Sequence, residues 1–278
     1  MRLTSGRQDI VVGIIDGPIA LSHPAFAGRR LRIIEGSQAG NCTDTQSIAC
    51  IHGTFVAGIL AAGRNSAAPA ICPECTFLIR SIFADAGSGK SSELETSPEA
   101  LADAIVATVN AGARILNLSL ALSQPSSNGH RELEQSLDYA ARQGVIVIAA
   151  AGNQGTLASS PLTRHPWVIP VVAVNFAGQP TGQTNLGASI SRTGIAAPGD
   201  RITSLGPDKP SMVLSGTSAA VPFVTGTVAL LWSLFPKVAA ATLKAALKPA
   251  PAPRRMSVMP ALLNAGNVYR ALAASAAR

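Results

Sequence analysis

A carboxylate, an imidazole and a hydroxyl occur in this chain at places where they could act as one unit. They are Asp16 in Ile14-Ile15-Asp16-Gly17, His52 in His52-Gly53-Thr54 and Ser218 in Gly216-Thr217-Ser218-Ala219. A serine hydroxyl is a poor nucleophile at its free pKa. It attacks a carbonyl only when an imidazole takes its proton and a carboxylate fixes the imidazole tautomer and stabilises its charged form. Taken singly, each residue has an ordinary reading, as a turn aspartate, a helix-start histidine and an N-cap serine. Together they supply the three residue types that nucleophilic acyl transfer requires. The other histidines, His23, His130 and His165, lack a Gly-Thr context leading into a helix. Asn153, in the glycine-flanked run Gly152-Asn153-Gln154-Gly155, is a candidate donor to the negative oxygen of a tetrahedral intermediate; a tight left-handed turn is the alternative role for an asparagine there. The Ser218 main-chain amide, at a helix N-terminus, is the second donor expected.

These residues need a frame that gathers them. Strand-like apolar runs at 10–15, 76–82, 114–120, 145–150, 168–174 and 194–197 alternate with helix-like segments. The helices are expected at 53–62, after the Ser97-Pro98-Glu99 cap as far as Gly112, and at 132–143, 218–235, 240–247 and 266–274. This alternation predicts an α/β fold in three layers, a doubly wound, mainly parallel sheet with helices on both faces. Ligands of such sheets collect outside the carboxyl ends of the strands. There Asp16 ends the first strand, while His52 and Ser218 open helices. One domain is expected over residues 1–278, with a proline-rich connector at 248–260 leading to a C-terminal helix.

With the frame in place, six stretches in order resemble the subtilisin-like serine peptidases. They are Val12-Gly13-Ile14-Ile15-Asp16, His52-Gly53-Thr54-Phe55-Val56-Ala57-Gly58, Asn117-Leu118-Ser119-Leu120, Ala149-Ala150-Ala151-Gly152-Asn153-Gln154-Gly155, Ala197-Pro198-Gly199 and Ser215-Gly216-Thr217-Ser218-Ala219-Ala220-Val221-Pro222. The resemblance implies a serine endopeptidase with Asp16, His52 and Ser218 as its catalytic triad and Asn153 in its oxyanion hole. It also implies that Ser119, Leu120 and Ala121 form one substrate wall and Ala150, Ala151 and Gly152 the other, with the peptide binding as an added strand.

Several departures mark the chain out. The family often has Asp-Thr/Ser-Gly where this chain has Asp16-Gly17-Pro18, a histidine where Phe55 stands, glycine at Ala121, and a final histidine where Phe223 follows Pro222. The run Asp16-Gly17-Pro18-Ile19-Ala20-Leu21-Ser22-His23-Pro24, with Ile82-Phe83-Ala84-Asp85, resembles the maturation peptidases of cyanobactin-type ribosomal peptide pathways. Those enzymes cut precursor peptides, and some join the cut end into a ring. Hydrolysis of a precursor peptide is therefore the expected activity. Macrocyclisation by transpeptidation and a non-catalytic peptide-binding role are the alternatives, and an ordinary intracellular subtilisin with a drifted first loop is the other reading of this run.

Composition sets the remaining limits. The net charge is +7, from 22 basic and 15 acidic residues, but the basic groups are scattered and no aromatic residues interleave with them to stack bases. A peptide or protein is the expected partner, not nucleic acid. No apolar run approaches the ~20 residues that span a bilayer, and the first ten residues are polar, so a soluble, cytoplasmic protein is expected unless a leader was removed. Of the four cysteines, Cys72 and Cys75 form a CxxC that precedes a strand, whereas a redox pair usually opens a helix; Cys42 and Cys50 are too far apart for a usual zinc pair. Structural thiols or disulfides bracing loops near His52 are expected. No cofactor or metal is assigned, since the calcium ions common in such relatives bind through scattered loop oxygens that no spacing reveals.

Overall fold

The computed structural model describes residues 3–36, 41–83, 95–122, 130–248 and 258–276. Along the chain, β1 (Val11–Asp16) and β2 (Arg30–Ile33) precede α1 (Ile48–Ala61) and β3 (Thr76–Ser81). Next come β4 (Glu95–Thr96), α2 (Pro98–Asn110), β5 (Ile115–Leu118), β6 (Ala121–Leu122), α3 (Arg131–Arg142) and β7 (Ile146–Ala150). The second half holds α4 (Pro161–Arg164), β8 (Val168–Val174), α5 (Ala188–Thr193), β9 (Ile195–Pro198), β10 (Ile202–Ser204), β11 (Met212–Leu214), α6 (Thr217–Leu234), α7 (Ala240–Ala246) and α8 (Ala265–Ala276).

Among the described residues the main sheet has seven strands in the order β2-β3-β1-β5-β7-β8-β9, all paired in parallel. The chain runs outward from β1 to β3 on one side and then returns to place β5 on the other. That reversal opens a crevice at the carboxyl ends of β1 and β5. Side chains alternate along each strand, so Val12 and Ile14 enter one core and Ile15 the other. The first core joins the sheet to α1 and α6 through Val56, Leu60, Ile148, Val224 and Trp232. The second joins it to α2 and α3 through Leu101, Ile105, Leu116, Leu133 and Val147. Helices on both faces give the three layers that the alternation predicts.

α6 lies across β5, β7, β8 and β9 and packs against α1. By length and composition it could cross a membrane, yet 78% of it is buried inside the protein. It is a core helix. Counting unbroken apolar runs overlooks it because Ser218, Thr225, Thr227 and Ser233 interrupt the pattern. Both Thr225 and Ser233 bury their hydroxyls on a hydrogen bond, Thr225 to Asn117 Oδ1 at 2.8 Å and Ser233 to Ala229 O at 2.7 Å.

The structure also shifts some boundaries. α1 begins at Ile48, capped by Ser47, so His52 sits in its second turn and does not open it. Gly53, read as the first residue of this helix, permits a close approach: an added Cβ would lie 2.5 Å from the carbonyl oxygens of Gly17 and Pro18. The short edge strand β2 and the β10–β11 hairpin lie where no element was expected, since three or four residues carry too little alternation to register. After residues 249–257, the part of the proline-rich connector outside the described set, Ala261 and Leu263 pair with Ala196 at the sheet edge and α8 packs on α7 and α6. Of the basic groups, Arg29 and Arg30 both reach Glu74, at 2.6 and 3.4 Å.

Cys42 and Cys50 form a disulfide with a sequence separation of 8, tying the entering loop to the first turn of α1; Cys72 and Cys75 are buried free thiols. Closing a loop of this length removes about 2.5 kcal/mol of chain entropy from the unfolded state. We expect the Cys42→Ser/Cys50→Ser double variant to melt about 5 °C lower by circular dichroism. An unchanged melting temperature would show that this loop is held by other contacts.

Candidate active site

At the end of β1, Asp16 is fully buried, and its Oδ1 accepts the Gly17 N–H at 2.7 Å and lies 2.7 Å from His52 Nδ1. Its Oδ2 has no hydrogen-bond partner among the described residues. Such contact requires α1 to come almost into main-chain contact with the Asp16 loop. A side chain at position 17 would collide with the Ala49 carbonyl, and one at position 53 with the Gly17 and Pro18 carbonyls. Only glycine fits either site as this backbone stands. With Nδ1–H donating to the carboxylate, Nε2 is the lone-pair nitrogen facing the crevice. Burial pushes the His52 pKa down, but the Asp16 charge and hydrogen bond outweigh it and raise the pKa above the usual 6.5.

Across the crevice, the first turn of α6 meets the loop after β7. Asn153 Oδ1 accepts both the Thr217 N–H at 2.9 Å and the Thr217 hydroxyl at 3.0 Å. Thr217 Oγ1 in turn accepts the Gly152 N–H at 3.3 Å. With its oxygen held in this way, the Asn153 amide presents Nδ2 as its donor end. Gly152 and Gly216 have φ of 104° and 135°, which β-carbons disfavour, and a Cβ on Gly216 would press on the Asn153 amide at 3.2 Å. Ser218 follows as the second residue of α6, half-buried, in a first turn whose N–H groups have no intrahelical acceptors. Behind it, Ser119 donates its hydroxyl to the Ser218 carbonyl at 3.0 Å and accepts from Asn117 Nδ2 at 2.8 Å.

The two expected walls differ. Ala150, Ala151 and Gly152 line a cavity of about 140 Å³ together with Leu122, Gln154 and Leu162. On the other wall, the Leu120 side chain is 3% exposed and packs into the α2–α3 core, so only its main chain faces the crevice. Ala121 is described by its main chain alone; with Leu122 it pairs in parallel with Glu95 and Thr96. Of the Ile82-Phe83-Ala84-Asp85 run, Ala84 and Asp85 lie outside the described residues, while Ile82 and Phe83 are buried.

Some participants were missed in the sequence. Asn185 accepts at Oδ1 from the Gln154 and Thr156 N–H groups, both at 3.1 Å, and donates to Gln154 Oε1 at 2.6 Å, so it braces the Asn153 loop. It lies in a glycine- and proline-rich stretch with no periodicity to mark it. Thr217 was visible only as part of a motif. Phe55 and Phe223, the two places where family histidines are replaced, meet in one apolar cluster with Ile59, Ile71, Ile202 and Ala219. The remaining histidines are engaged elsewhere: His23 accepts the Ala25 N–H, His130 precedes α3, and His165, expected as a plain loop residue, is buried and 3.3 Å from Asp138. Among the described residues no group of three or more His, Cys, Asp or Glu gathers in the manner of a metal site.

The family model described as the Subtilase family matches residues 7–258. The chain is 31% identical to subtilisin DY of Bacillus licheniformis over 85% of its own length and 81% of that relative. It is 30% identical to thermitase of Thermoactinomyces vulgaris over 80% and 74%. Among solved structures, a serine-to-alanine mutant of the protease domain of PatA superposes with a TM-score of 0.90 at 29% identity, covering 99% of both chains. The prenylagaramide maturation protease PagA gives 0.83 at 30% identity over 96% and 95%. The fold is also that of the PatG macrocyclase domain, with a TM-score of 0.83 at 22% identity over 98% and 93%.

Titration of His52, followed by imidazole NMR, should have its midpoint above 6.5. Asp16→Asn removes the charge and leaves at most a neutral hydrogen bond against burial, so the midpoint should fall below 6.5. An unaltered midpoint in that variant would mean that the carboxylate does not govern this imidazole.

Proposed function

We propose, for a chain that belongs to the subtilase family and is a subtilisin-like serine endopeptidase, that Asp16, His52 and Ser218 are its triad and that it processes a ribosomally made precursor peptide. The catalytic reading is carried by the 2.7 Å contact between Asp16 and His52 on one side of the crevice, facing the start of α6 on the other. The processing role is supported by likeness over 99% of both chains to the PatA protease domain and by likeness to PagA, a prenylagaramide maturation protease.

In this reading His52 Nε2 takes the proton of the Ser218 hydroxyl as its oxygen attacks the peptide carbonyl, and Asp16 holds the imidazolium that results. Negative charge collecting on the carbonyl oxygen is met by Asn153 Nδ2 and the Ser218 N–H, donors fixed before substrate arrives. His52 then returns its proton to the departing amine, and water hydrolyses the acyl-enzyme. The peptide is held along the walls formed by Ser119, Leu120 and Ala121 and by Ala150, Ala151 and Gly152. The two residue pairs between Ala121–Leu122 and Glu95–Thr96 are a small ladder that an incoming peptide exchanges for main-chain bonds of its own.

Selectivity follows from the cavity beside Gly152. Among the described residues no charged side chain lines its roughly 140 Å³, and the Asn185 oxygen in its lining is committed to the Gln154 and Thr156 N–H groups. A cavity of about 150 Å³ accommodates benzene, so this one suits a small or medium uncharged side chain. A charged side chain there would lose its hydration without gaining a partner.

A fluorophosphonate probe should label the folded protein at Ser218 and fail to label Ser218→Ala. Asn153→Ala should lower kcat by about 10²–10³ with KM little changed. Across a peptide library, mass spectrometry should find linear acids cut after small or medium uncharged residues, with charged residues at that position at least about tenfold poorer. Cyclic products would transfer the assignment to transpeptidation. Absence of labelling in folded protein would remove the triad reading altogether.

A further inference from the structure

Pro222 lies inside α6, and proline has no N–H. The fourth residue before it is Ser218, so the helix supplies no main-chain donor for the Ser218 carbonyl. A ring at position 222 also crowds that carbonyl and tilts it off the helix axis. At this point the Ser119 hydroxyl donates to it at 3.0 Å. Ser119 is itself held: Asn117 Nδ2 donates to its Oγ at 2.8 Å, and Thr225 Oγ1 donates to Asn117 Oδ1 at 2.8 Å. Asn117 and Thr225 are fully buried and Ser119 is 1% exposed. The relay starts on α6, crosses to the end of β5, and returns to α6 seven residues before it left, at the residue bearing the nucleophile.

We propose that Ser119 is a positioning residue that replaces the donor Pro222 removes, and so fixes the first turn of α6, where the Ser218 hydroxyl and N–H are carried. Its side chain contributes to catalysis through the Ser218 main chain and separately from the substrate wall to which its own main chain belongs. The relay explains why a buried, rigid hydrogen-bond network surrounds a carbonyl that takes no part in bond making. The proposal rests on the triad reading, because it concerns the aim of Ser218.

Ser119→Ala leaves the Ser218 carbonyl without a donor. We expect kcat on a peptide substrate to fall about tenfold with KM within about twofold, and the fluorophosphonate labelling rate to fall in parallel. Adding Pro222→Ala to that variant restores an N–H four residues after Ser218, and kcat should recover most of the loss. Ser119→Thr keeps the hydroxyl and should retain at least about threefold more kcat than Ser119→Ala. Melting curves of each variant report folding, and if the double variant does not fold, the threonine variant decides.

A rise in KM with kcat unchanged in Ser119→Ala would overturn the proposal and leave Ser119 a wall residue only. Failure of a folded double variant to recover, or an equal loss of kcat in the alanine and threonine variants, would overturn it as well. Normal labelling of Ser218 in the parent protein separates these results from a failure of the triad reading itself.

Discussion

The approach of α1 to the end of β1 is the constraint on which the candidate site depends. A buried carboxylate can direct an imidazole only at hydrogen-bond distance, and here the two come from elements separated by 36 residues. Helix and loop meet backbone to backbone, which is why Gly17 and Gly53 carry no side chain. The Cys42–Cys50 disulfide fastens the incoming loop to the first turn of the same helix. Behind that helix, Val56 and Leu60 anchor it in the core formed with α6. Each of these features acts on the same short distance from a different direction.

α6 supplies the opposite half. Its N-terminus presents Ser218 and holds Asn153 through Thr217, while its length spans four strands of the sheet. Displacement of the helix would therefore move Ser218 and the Asn153 amide together, and their mutual geometry survives small shifts of the frame. The geometry between α6 and His52 has no such protection. It depends on the packing between α1 and α6 and on side-chain links such as that between Ser119 and Ser218.

Much of this was legible in the sequence, for identifiable reasons. Strands buried on both faces read as unbroken apolar runs, so β1, β7 and β8 were expected almost as they stand. The Ser97-Pro98-Glu99 cap announced α2 within a residue. The start of α1 was placed at Gly53 because the Ser47 cap, whose side chain accepts the Cys50 N–H, was not recognised. Asn185 and the return of residues 261–263 to the sheet edge were invisible, since both depend on contacts far along the chain that leave no local pattern. Ser119 was seen as part of a wall. Its link to the Ser218 carbonyl follows from Pro222, four positions past the nucleophile, a spacing that acquires meaning only once the helix is placed.

The meeting of buried Phe55 with half-buried Phe223 in one apolar cluster has a consequence for what either place can hold. Each occupies a place where relatives commonly carry histidine, and both lie in one cluster between the helices that bear His52 and Ser218. A histidine at position 55, where the side chain is buried, would set an imidazole against Ile59, Ile71 and Ile202 and lose its hydration there.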